Sequence, residues 1–255
     1  MNAPMKIACL ALGLFLALSS TALHAAAPSF DRPGIAFAAS TLPVGSFDWE
    51  QGLPDVAYDN TAGVRTTLYS ADTILRYGMT PTLELQLGGS LWNGLDTHGV
   101  DVDNRSHGGG DTTIAAKWAP TLQSDKVAVA FLGAVTLDTG ASAFTNGRPV
   151  YSLGATVSRD MQNGRVIAMY LNASNNGGRT TWTMSPNISF PITSEIGAYV
   201  EAGRTIGGDA TGTVAGGGLT WLLHDRIQFD IYGLRKLLGH APDLQAGAGV
   251  SVFWK

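Results

Sequence analysis

Leu83-Glu-Leu-Gln-Leu87 sets an apolar side chain at every second position, with Glu84 and Gln86 between them. Successive side chains of a β-strand point to opposite faces, so one face of this segment meets an apolar medium and the other a polar one. Leu91 carries the apolar face on past Gly88 and Gly89. The same alternation returns in Thr112, Ile114, Ala116 and Trp118 against Asp111, Thr113, Ala115 and Lys117. It returns again in Val127, Val129, Phe131, Val135 and Leu137, and in Ile227, Phe229 and Ile231 against Gln228 and Asp230.

Followed outward, the pattern predicts twelve strands. They fall near 46–58, 64–78, 82–93, 109–119, 126–138, 149–160, 164–175, 179–190, 194–205, 211–223, 226–236 and 243–254. Most are longer than the roughly 5–6 residues of a soluble strand and match the about 9–11 that a tilted membrane strand needs. Tight turns at Gly78–Pro81, Asp160–Gly164, Pro191–Thr193 and His224-Asp225 alternate with longer connections at Gly94–Gly108, Thr139–Arg148, Ile206–Ala210 and Leu237–Pro242. Asn175–Gly178 is a tight turn where a longer loop is due. Short turns on one side and longer loops on the other are the habit of outer-membrane barrels, with the turns in the periplasm. Tyr77, Trp118, Phe190, Trp221 and Trp254 fall at the turn-side ends of their strands, as an aromatic girdle requires. The fold expected is therefore all-β: a transmembrane antiparallel up-and-down β-barrel of twelve strands. A secreted sandwich also alternates, but its strands are shorter and its solvent face carries more Lys and Glu than the Gly, Ala, Ser and Thr found here.

The ends agree with export. Lys6, the apolar run Ile7–Leu18 and the small residues up to Ala25 describe a secretory signal peptide over 1–25. Residues 26–43 follow as an N-terminal periplasmic segment or plug, and 44–255 as the barrel. Cys9, the only cysteine, lies inside the signal, which leaves no disulfide framework and no thiol-ligated metal. Acidic residues number 20 against 16 Lys and Arg, with no basic run, which argues against nucleic acid as a partner. The partners expected are outer-membrane lipid and a small-molecule solute, and the location is the bacterial outer membrane. No cofactor is expected.

Several segments in this order, Phe30-Asp-Arg-Pro-Gly34, Leu42–Phe47, Leu75–Thr80 leading to Glu84, Thr136–Gly140, Tyr199-Val-Glu201, Gln228-Phe-Asp230 and Gly247–Ser251, resemble the family of outer-membrane transporters of the meta-pathway of phenol degradation. The resemblance implies a small barrel that passes aromatic or other organic solutes. Lys255 after the final aromatic, and the lack of a proline in Thr136–Gly140, depart from the family's pattern.

Alternation assigns the lumen face Asp48, Glu50, Asp72, Glu84, Asp111, Asp138, Glu201 and Asp230, with Arg76 and Lys117 as its only bases. Tyr170 and Tyr199 join them as surfaces on which a ring could stack. Eight acids against two bases predict an interior that attracts cations; the other reading is that pairs such as Arg76 with Glu84 brace a filled barrel. Twelve strands lie between the eight that side chains fill and the 16–18 that enclose water, so a narrow pore and a pore closed by residues 26–43 are both open. An enzyme is not expected. His98, His107, His224 and His240 fall outside mid-strand positions, and none stands beside an obvious serine. The loop from His98 to Asp111 has ligand-type residues but neither a zinc nor an EF-hand spacing, so no metal site is assigned. The function expected is a channel for passive or facilitated passage of small organic solutes. The alternative is a structural or surface-interaction barrel with a filled lumen.

Overall fold

The computed structural model describes residues 29–255; the signal peptide expected over 1–25, with Cys9, and the first residues of the expected N-terminal segment lie outside them. Fourteen ladder segments follow in chain order. They are β1 (Phe47–Gly52), β2 (Asp55–Thr61), β3 (Val64–Thr80), β4 (Leu83–His98), β5 (Asp103–Gly108), β6 (Thr112–Trp118) and β7 (Val127–Leu137). The second half is β8 (Val150–Asp160), β9 (Val166–Asn176), β10 (Arg179–Pro191), β11 (Ile196–Ile206), β12 (Gly212–Leu223), β13 (Ile227–Gly239) and β14 (Leu244–Trp254). All neighbours run antiparallel, and β1 pairs with both β3 and β14, which closes the sheet into a barrel.

The fourteen segments make twelve spanning strands. β1 and β2 both lie between β14 and β3 and are two halves of one strand, broken at Leu53-Pro54. Pro54 has no N–H for a ladder, so the break falls there. β5 and β6 both pair with β4 and form a second divided strand, interrupted between Gly109 and Asp111. The expected loop from Gly94 to Gly108 is corrected here: the hairpin continues through it, with His98 opposite Asp103. Alternation fades in that stretch because it rises beyond the lipid, where neither face needs to be apolar.

The two faces separate as the period of two requires. Leu75, Leu85, Leu87, Ile114, Leu153, Met169, Val200 and Ile231 are exposed around the outside. A contiguous apolar belt of this extent is not compatible with water. Lipid covers it, and the protein is an outer-membrane barrel. The aromatic residues stack in pairs near the turn-side rim, Phe47 with Tyr77, Trp118 with Phe131 and Trp221 with Phe229. The core is inverted relative to a soluble protein: its largest fully buried side chains include Arg76, Lys117, Glu50, Glu84 and Asp48.

Candidate functional site

The described N-terminal segment, Ser29 to Pro43, runs inside the lumen. It has no strand partner, so its backbone donors must find other acceptors, and the wall carboxylates supply them. Glu50 accepts from the N–H groups of Asp31 at 2.7 Å and Arg32 at 2.6 Å. Glu84 accepts from Leu42 N at 2.8 Å, and Glu201 from Ile35 N at 3.0 Å. In return, Gln228 Nε2 donates to the Arg32 carbonyl at 2.8 Å and Arg76 Nη1 to that of Ser29 at 3.1 Å. The carboxylates that alternation sends inward thus replace the missing ladder.

Two charge clusters anchor this segment. In the lower one, Arg76 pairs with Asp48 at 2.9 Å, Glu50 at 2.7 Å and Glu84 at 2.8 Å. Lys117 Nζ donates to both Asp31 oxygens at 2.7 and 2.8 Å and lies 5.5 Å from the centre of the Phe37 ring. Gln86 also reaches Asp31, at 2.9 Å. Burial alone would raise the Asp31 carboxyl, but Arg76 and Lys117 outweigh it and hold the pKa below the ordinary value. In the upper cluster, Arg32 spans Asp55 on β2 at 3.0 Å and Asp230 on β13 at 3.2 Å, with the Ala248 carbonyl at 3.3 Å. Those carboxylates keep the Arg32 guanidinium more firmly protonated than usual, although burial acts against it. Beside the charges, Phe37 packs edge-on against Tyr170 at 5.6 Å, and Leu42 is buried.

The segment divides the lumen. Asp31, Arg32, Pro33 and Gly34 line both of two chambers. One, of about 510 Å³, opens at the short-turn end among Thr156, Ala168, Asn187, Tyr199 and Glu201. The other, of about 270 Å³, lies toward the loops beside Asp55, Asp72, Ile74 and Tyr232.

Of the side chains singled out from sequence, Glu50, Arg76, Glu84 and Lys117 gather in the lower cluster with Asp48, and Asp230 lies in the upper one. Glu201, Tyr199 and Tyr170 face the segment from the opposite wall. Asp72 borders the outer chamber, where Ser90 donates to it. Two placements differ from the expectation. Asp138 is exposed beyond the last ladder pair of β7, because pairing ends at Leu137 opposite Thr112. Asp111, also expected on the lumen wall, instead accepts Gly140 N at 2.9 Å and Asn146 N at 2.7 Å, which folds the Thr139–Arg148 loop against the barrel mouth. Asp31, Arg32 and Phe37 were not singled out for the lumen by alternation, since they lie in no strand. The one signal for Asp31 and Arg32 is the Phe30-Asp-Arg-Pro-Gly34 run, which alternation cannot interpret, and Phe37 lies outside it.

A family model described as "Putative MetA-pathway of phenol degradation" matches residues 30–253. No curated protein sequence matches the chain. Among solved structures, an outer-membrane channel from Pseudomonas putida superposes with a TM-score of 0.69 at 15% identity, over 88% of this chain and 99% of that one. The KdgM porin gives 0.55 at 9% identity, over 82% and 99%. The translocator domain of the autotransporter NalP from Neisseria meningitidis gives 0.52 at 10%, over 83% and 89%. At these identities the likeness is one of fold.

Proposed function

The chain belongs to the family associated with the meta-pathway of phenol degradation, and from that premise we propose that it is an outer-membrane channel for small organic solutes, aromatic ones among them. One observation carries the reading: the lumen is closed by a single stretch of chain, with a chamber on either side of Asp31–Gly34. A barrel built only as a solid wall fills its interior with its own side chains, as eight-stranded barrels do. Here β8 and β12 offer the lumen Gly154 and Gly218, whose missing side chains make room for the rings of Phe37, Tyr170 and Tyr199 along the chamber wall. Phe30, Phe37 and Tyr199 beside Ser189, Asn187 and Thr156 suit a solute with a ring and a polar substituent. That channel-forming and porin barrels share the fold supports the same reading.

The attachments of the segment are mostly ion pairs and hydrogen bonds, which water can replace once the lumen opens. In the resting state the segment closes the pore, and its displacement opens it. A second reading, a permanently filled barrel, draws on the complete burial of Arg76 and Lys117. Single-channel recording of the refolded mature protein in a planar bilayer separates the two. A channel should give rare cation-selective steps, and removal of residues 26–43 should make them frequent. A folded barrel that stays silent after that deletion would overturn the channel reading.

A further inference from the structure

Taking the barrel as a solute channel, we propose that its chamber at the short-turn end holds a binding site for a small organic cation, a primary ammonium on a single-ring apolar body, with Glu201 as its anchor. Glu201 is 6% exposed, and one of its oxygens accepts Ile35 N at 3.0 Å. The other, Oε1, is buried without a hydrogen-bond partner, and no basic side chain among the described residues pairs with this carboxylate. The remaining buried lumen carboxylates stand differently: Asp48, Glu50 and Glu84 share Arg76, and Asp230 has Arg32. A buried charge is costly unless it is paired; the chain sets only the neutral, buried Ser185 hydroxyl beside Glu201, so its charge is left for a cation from outside the chain.

The surroundings select which. The Tyr199 hydroxyl and Thr156 Oγ1 are likewise buried without partners, and both residues line the same chamber of about 510 Å³. That volume falls within the roughly 300–1,000 Å³ of small-molecule sites. Gly34 brings the chain between Glu201 and Tyr199: a Cβ on it would stand 3.7 Å from both Glu201 Oε1 and the Tyr199 ring. The carboxylate and the aromatic ring therefore border the same small space beside Gly34, where an ammonium can pair with one and lie against the other. Ala168 and Phe37 offer apolar surface for the body of the ligand. Glu195 at the mouth adds negative charge, and Arg32, the one base in the lining, is spent on Asp55 and Asp230. Anions are thereby disfavoured, and a neutral ring lacks the charge that Glu201 leaves unmatched.

Calorimetry on the refolded protein in detergent, with benzylamine, benzyl alcohol and benzoate as probes, tests the site. Benzylamine should bind roughly 10-fold or more tightly than benzyl alcohol, since hydrogen bonds to charged groups carry the difference, and benzoate should not bind. Glu201→Gln should remove about that factor for benzylamine and leave benzyl alcohol unchanged. Ala168→Leu, which fills the chamber without touching the carboxylate, should weaken both ring compounds and covers the case in which Glu201→Gln does not fold. Equal binding of amine and alcohol, no binding of the amine to folded protein, benzylamine affinity untouched by a folded Glu201→Gln, or, where that variant does not fold, untouched by Ala168→Leu, would overturn the site. The channel reading is judged separately: current without ammonium binding removes this site alone, and ammonium binding in a barrel that never conducts removes the channel alone.

Discussion

Replacing Asp31 by alanine tests the closing segment where its attachment is densest, and it leaves the barrel wall untouched. The carboxylate holds Lys117 through two contacts of 2.7 and 2.8 Å, takes Gln86 Nε2 and Ala38 N at 2.9 Å each, and lies 3.5 Å from Arg76. Breaking a buried ion pair from one side costs about 3–5 kcal/mol. The whole cost falls on the closed state, because in an open lumen water reaches Lys117. At about 1.4 kcal/mol per tenfold, the open-to-closed ratio should rise by roughly 10² to 4 × 10³. Glu84 remains 3.5 Å from Lys117, so the lower end of that range is the expected value. Open probability in single-channel records reads the ratio directly, and heat-modified gel mobility reports that the barrel is still folded. A folded Asp31→Ala protein with unchanged open probability would refute the idea that this segment gates the lumen. The pH dependence has a definite sign. Arg76 and Lys117 override burial and keep the closed-state pKa of Asp31 below the free value of 3.8. Its contribution to closure is fully present above the free value and is lost as the pH falls through the lowered one. This group should therefore hold the segment closed without change across roughly pH 5 to 7, and strong acid should open the wild type more than it opens Asp31→Ala.

Other perturbations give separate checks. A Cβ on Gly249 would stand 2.7 Å from Arg32 Nη2 and 2.8 Å from its Cζ, so Gly249→Val should push the arginine off Asp55 and Asp230. At about 1.5–3 kcal/mol for hydrogen bonds to charged groups, open probability should rise about 10-fold or more while the thermal unfolding of the barrel stays in place. Leu87 is 48% exposed on the lipid face beside Leu75 and Ile114. Leu87→Arg should destabilise the barrel by about 2–4 kcal/mol in lipid-bilayer unfolding experiments if that position lies near the membrane midplane, and conduction should not change. Asp111→Ala should free the loop held through Gly140 and Asn146, which limited proteolysis would report as faster cleavage between Thr139 and Arg148.

Much of the site could be read from the chain because alternation is a local property. Glu84 faces inward for the same reason that Leu85 and Leu87 face lipid, and Lys117 follows from Ile114, Ala116 and Trp118. Even the Arg76–Glu84 contact was within reach, since only the Gly78 hairpin separates the two residues. The error at Asp138 came from extending the period past the last ladder pair, and the missed hairpin at His98 and Asp103 from requiring the period where no lipid enforces it. The interior charge balance could not be read at all. Arg32 enters the lumen from outside the strand pattern and neutralises part of the acidity that the wall residues alone predict.

By itself the sequence determined the strands, their number, their two faces and the rim on which each turn lies, because neighbouring strands of a meander are also neighbours along the chain. Only the tertiary structure decided what fills the barrel. The contact that joins Arg32 to Asp230 spans 198 residues, and the segment that makes it has no period, its backbone donors being satisfied by carboxylates contributed from distant strands. Closure of the sheet creates that set of acceptors, and until the barrel closes they do not exist as a site.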